Sequence, residues 1–106
     1  MKKLKFSDPT PELVLNGKKC TTWRINDDKN ITISDILSLC RSDGEEFAKA
    51  KVTQVREILF ENLTGEDKEA HEKFSSDEEM YQIYSKYYNM NVTPKTKVKI
   101  IRFRLI

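Results

Sequence analysis

Two cysteines, one histidine and one tryptophan are all that 106 residues contain of these types. Cys20 and Cys40 form no CxxC pair, which excludes a disulfide framework and a cysteine-built structural zinc site. The lone His71, set among acids, reads as a surface or helix-end histidine rather than a metal ligand, so no metal and no cofactor are expected. No apolar run is long enough to span a membrane. The opening MKKLKF is too short and too charged for a signal peptide. The expected compartment is therefore the cytoplasm, with both thiols reduced. The length suits one domain over residues 1–106, with a single core and a monomeric state.

Charged residues make up 34% of the chain and apolar residues 38%, with a net charge of +2. The distribution is uneven. Met1 to Arg24 holds six Lys or Arg against two acids, and Lys95 to Ile106 holds five and none. Glu61 to Glu79 carries eight acids against two lysines. If the two ends pair in space, they make a basic pole suited to phosphate, facing an acidic flap.

Lys3 to Phe6 alternates as a strand with Leu4 and Phe6 inward. Thr10 reads as a helix cap and Pro11 as the first helical residue, with Leu13, Val14 and Leu15 on the buried side. Asn16-Gly17 ends that helix, glycine taking the left-handed position. Ile31 and Ile33 alternate toward a buried strand over 36–40, and Arg41 to Gly44 is a hairpin turn. Glu46 to Phe60 is a long strand whose inward parity (Ala48, Ala50, Val52) shifts at Val55, which predicts a bulge. Thr64 with Asp67, and Ser76 with Glu79, are two capping boxes. Met80, Ile83, Tyr84 and Tyr87 form a helical stripe read as core, with Tyr81 and Tyr88 off it. Asn89 to Pro94 is a loop, and Lys97 to Ile106 is a last strand, bulged or buried on both faces. About five strands with late helices suggest a small mixed barrel or strongly curved sheet.

The segment GKKCTTWR, Gly17 to Arg24, concentrates three cations, two hydroxyls, a thiol and the tryptophan. In a straight strand Lys19 and Thr22 would face opposite ways, but a bend after Gly17 brings them together. A threonine hydroxyl needs a neighbour to remove its proton, and a lysine does so only when burial or nearby cations keep it partly neutral. Glu69 and Glu72 are the nearest carboxylates able to shuttle a proton. The same residues also fit binding: Lys18, Lys19 and Arg24 for phosphate, Trp23 for stacking on a base. Trp23 is equally suited to closing the core, and Cys20 reads as a small buried apolar residue.

LVLNGKKCTTWR, ISDILSLC, LTGEDKEAHEKFSSDEEM and VKIIRFRLI occur in the order of four family marks: a helix–GxKxxTxR segment, a GD-containing strand, a helix–EGF–helix insert and a closing strand. On these the chain resembles the ASCH domain family of the PUA-like β-barrel superfamily. The resemblance implies an α+β fold: a mixed β-barrel of five to six strands, a short helix after the first strand and a two-helix insert before the last. It also implies a cleft for RNA or a nucleoside. Some small single-domain members hydrolyse N4-acetylcytidine; their catalytic set carries over to Lys19, Thr22 and Glu72, with Arg24 and the insert aromatic Phe74 beside them. In that reading Lys19 activates Thr22, Thr22 attacks the acetyl carbonyl and Glu72 assists proton transfer, while Lys18, Trp23, Arg24 and Phe74 hold the ligand. The alternative is a non-catalytic RNA-binding module acting in RNA processing or in regulating transcription or translation. Two family glycines are replaced, by Ser34 and Lys73, which bear on the turn and on the substrate.

Overall fold

The computed structural model describes residues 1–71 and 73–106. The strands are β1 (Lys2–Phe6), β2 (Thr21–Arg24), β3 (Ile36–Arg41), β4 (Glu46–Leu59) and β5 (Lys97–Leu105). The helices are α1 (Thr10–Leu15), α2 (Gly65–Glu69) and α3 (Asp77–Tyr88), with a 3-10 turn at Phe60–Asn62. One sheet runs in the order β1-β3-β4-β5-β2. Its β1–β3 pair is parallel and the other pairs are antiparallel. The sheet curls into a half-barrel, the mixed α+β architecture that the order of elements predicts.

The curl is made by β4, whose 14 residues pair first with β3 and then with β5. The register against β5 shifts between Val52 and Gln54, so Thr53 is an extra residue. Such a bulge bends its strand and increases the twist. The predicted parity change at Val55 is this bulge, and it lies in β4 rather than in β5. The last strand is buried on both faces. Val98 and Ile100 join Trp23, Phe60, Met80 and Tyr84 in one cluster. Ile101 and Phe103 join Leu4, Phe6, Leu37, Leu39 and Val52 in the other.

Several local expectations meet the structure in altered form. Thr10 is the first helical residue of α1, Pro9 takes the cap position, and no side chain caps it. Only Val14 of the apolar trio is fully buried; Leu15 is exposed. Ile33 is exposed and belongs to no strand, whereas Ile31 is core. Thr64 and Asp67 do form a capping box. At α3 only half of one forms: Ser76 accepts from the Glu79 amide, while the Glu79 carboxylate accepts from Ser75. The two basic ends do pair, through β2 and β5, which run antiparallel, whereas β1 lies beside β3 and shares a side-chain cluster with β5.

Candidate functional site

The GKKCTTWR segment is bent by its own backbone. Gly17 has φ +81°, a value glycine adopts without steric cost. The Lys18 amide donates to Asn16 Oδ1 at 3.1 Å, and the Lys19 amide reaches back to Leu13 O at 3.0 Å. The turn sends the two lysines opposite ways: Lys18 is exposed, and Lys19 is only 2% exposed. Thr22 and Arg24 then share one face of β2, and Arg24 Nε donates to Thr22 Oγ1 at 3.1 Å.

The acidic insert is latched onto this segment. Ala70 O accepts from the Cys20 amide at 3.0 Å, the Thr21 amide at 3.2 Å and Thr21 Oγ1 at 3.0 Å. The next residue, His71, is buried with its ring stacked on Trp23, centroids 3.9 Å apart and 17° between planes. The single histidine is thus an inner wall residue, not a surface one. Its charged, acid-rich sequence context hid the apolar contact it makes. Trp23 is 3% exposed, with one face covered by His71, so it is not a solvent-facing platform for a base. Its indole Nε1 is buried and has no acceptor among the described residues.

Between the motif, the end of β1, the insert and α3 lies a cavity of about 270 Å³. Lys19, Thr22, Trp23, Arg24 and Phe74 all line it, together with Phe6, His71, Tyr84 and Tyr88. Lys18 does not. It lines a separate cavity of about 470 Å³ with Cys20, Glu69, Lys73 and Arg102. Glu72, the remaining member of the expected catalytic set, lies outside the described residues. The wall residues Phe6, His71, Tyr84 and Tyr88 escaped sequence reasoning. The cluster of tyrosines at 81, 84, 87 and 88 was the available signal. The supposed core stripe of α3 divides: Met80 and Tyr84 are buried, while Ile83 (45% exposed) and Tyr87 (66%) sit at the cavity mouth. Tyr88 replaces them inside, its hydroxyl accepting from the Ile25 amide at 3.3 Å. Burial holds the Tyr88 phenol above its ordinary pKa, so it stays neutral at physiological pH.

Among the described residues no group of three or more His, Cys, Asp or Glu could hold a metal ion, and no helix is long and apolar enough to cross a membrane. A family model described as ASCH domain matches residues 2–106. The chain belongs to the ASCH domain family. The solved structures agree in fold. The hypothetical protein PH0355 is 28% identical over 100% of both chains, with a TM-score of 0.77. PF0455 from Pyrococcus furiosus is 23% identical, covering 99% of this chain and 96% of its own, at 0.69. An ASCH domain from Lactobacillus crispatus is 10% identical, covering 90% and 69%, at 0.71. No curated protein matches the sequence.

Both glycine replacements have structural answers. Ser34 takes φ +75°, so the backbone keeps a conformation that glycine favours, and its amide donates to Val52 O at 2.9 Å. Asp35, next to it, pairs with Lys2 at 2.7 Å. Lys73 turns away from the aromatic cavity: its Nζ donates to Lys68 O at 3.1 Å and pairs with Glu69 at 3.3 Å. A bulky cation at that position therefore does not narrow the ASCH cavity.

Proposed function

We propose that this ASCH domain binds a nucleoside-type ligand in the aromatic cavity and hydrolyses an N-acyl group from it, as N4-acetylcytidine amidohydrolases do. The observation that carries the reading is the enclosure of Lys19 and Thr22, each at most 3% exposed, in the same aromatic-walled cavity. Small-molecule pockets typically run from about 300 to 1,000 Å³. A cavity of about 270 Å³ accordingly suits one nucleobase with its substituent rather than a length of strand. The aromatic side chains of His71, Phe74 and Tyr84 supply the apolar walls a planar base requires.

The chemistry follows from the residues. Thr22 Oγ attacks the acetyl carbon once its proton is drawn off by Lys19 in its neutral form. The Arg24 Nε–H, already directed at Thr22 Oγ1, stabilises negative charge developing there. Collapse breaks the C–N bond, and the departing amine takes a proton, with Glu72 assisting the transfer. Water then releases acetate from the threonine ester. The non-catalytic RNA-binding alternative is less well supported, because Trp23 is covered and Lys18 is separated from Lys19 and Arg24. Incubating the purified protein with N4-acetylcytidine should release cytidine. Lys19→Ala and Thr22→Ala should each lower kcat by at least about a hundredfold. Absence of turnover in the native protein, or turnover in both variants unchanged from the native level, overturns the mechanism.

A further inference from the structure

Arg24 has more hydrogen-bonding capacity than the reaction above uses. Its Nε is occupied by Thr22, and its guanidinium carbon lies 5.5 Å from the Phe6 ring centroid. Those two contacts hold the fork at one edge and one face. The terminal nitrogens have no carboxylate partner among the described residues. By contrast, Arg56 of β4 is fully paired, donating to Asp67 through both terminal nitrogens at 3.0 and 2.9 Å. A guanidinium fixed in place with its terminal donors unused is shaped for a bidentate oxyanion.

Arg24 also lines a second, polar cavity of about 300 Å³, and so forms part of both walls. Lys97 and Lys99 of β5 line that polar cavity too, as do Asn26 and Asn30. Its carboxylates, Asp27 and Glu57, are outnumbered by three cations. Asp27 is moreover already satisfied: it accepts from Lys99 Nζ at 2.7 Å and from the Ile31 and Lys29 amides at 2.9 and 3.1 Å. Lys97 is exposed and unpaired among the described residues.

From this geometry we infer that the polar cavity beyond Arg24 is a phosphate subsite, so that the preferred ligand is a nucleotide whose base occupies the aromatic cavity. The assignment of the base rests on the function proposed above; the anion site does not. Arg24 grips two phosphate oxygens, Lys97 supplies the second charge, and the Asn26 and Asn30 amides offer neutral donors at the rim.

Binding of cytidine, cytidine 5′-monophosphate, a cytidine dinucleotide and inorganic phosphate is measured by calorimetry at low and at moderate salt. The monophosphate should bind about tenfold tighter than cytidine, and this advantage should shrink as salt rises. Lys97→Gln should reduce the advantage to threefold or less while leaving cytidine affinity unchanged, and Arg24→Gln should abolish phosphate binding. An advantage confined to the dinucleotide supports the subsite and assigns its phosphate to a nucleic-acid strand. Equal affinities for cytidine and its monophosphate, with no effect of inorganic phosphate, overturn the subsite and leave the nucleoside reading standing. Phosphate binding without cytidine binding does the reverse. No binding of any probe overturns both.

Discussion

Ser34 occupies left-handed backbone at the position where the family's GD pair has glycine. A residue with a Cβ pays roughly 1–2 kcal/mol for that conformation. Replacing it by glycine removes the strain but adds about 0.4–1 kcal/mol of unfolded-state freedom. Ser34→Gly is therefore expected to stabilise the protein by about 0.5–1 kcal/mol, read as a thermal midpoint a few degrees higher. The amide bond to Val52 O is untouched by the change. An unchanged or lower midpoint would show that the serine is not strained there. At this scale the sequence was informative about which residues matter and less so about where they point. Lys18 and Lys19 are chemically identical neighbours, and only the backbone turn at Gly17, with the Lys19 amide tied to Leu13 O, decides which one is buried. His71 shows the converse: its acidic neighbours suggested solvent, whereas its own ring stacks under Trp23.

The helix α2 is only five residues long, too short to persist on propensity alone. Its capping box and the pairing of buried Asp67 with Arg56 hold it. Asp67 accepts from the Thr64 amide at 3.0 Å and from Arg56 through both terminal nitrogens, while Thr64 Oγ1 accepts from the Asp67 amide at 3.1 Å. Burial would raise the Asp67 pKa, but the Arg56 and Thr64 hydrogen bonds outweigh it and hold it below its ordinary value. Because the folded-state value is depressed, its stabilisation is complete above the unfolded carboxylate's pKa, near 3.9, and is lost as pH falls through the folded value. Asp67→Asn should cost about 2–3 kcal/mol near neutrality and flatten the fall in thermal midpoint as the pH drops below the ordinary carboxylate range. An identical acid limb in both proteins would exclude Asp67 as its source. This box was legible because capping depends on residues three apart in sequence. The division of the α3 stripe was not. Periodicity identifies an apolar face, but Ile83 and Tyr87 stay exposed because the cavity mouth, rather than packed core, lies beneath them.

At the scale of the molecule, the two apolar clusters lie on opposite faces of β5, so neither can be lost without the other. Ile101 packs with Leu4 and Phe103 in the cluster inside the curl. Its neighbour Ile100 packs with Trp23 and Tyr84 under α3 and pairs with Trp23 across the β2–β5 ladder. The single core expected from chain length is thus two apolar clusters that share one strand. Strand periodicity had signalled burial on both faces of β5. It could not say that the curl separates the apolar residues into two clusters, since that depends on long-range pairing and on the Thr53 bulge. The sole tryptophan reports on the cluster that lacks Ile101, which makes the coupling measurable. Ile101→Ala should destabilise the fold by about 2–4 kcal/mol. It should move the urea midpoint seen by Trp23 fluorescence and by far-UV circular dichroism by the same amount, with the slope unchanged. If the fluorescence midpoint stayed in place while the dichroism shifted, the clusters would be separate folding units. The cavity between motif and insert would then be held by the α3 cluster alone. A coincident shift instead ties the geometry of Lys19, Thr22 and Arg24 to the whole half-barrel, because β2 is anchored through β5 to both of its faces.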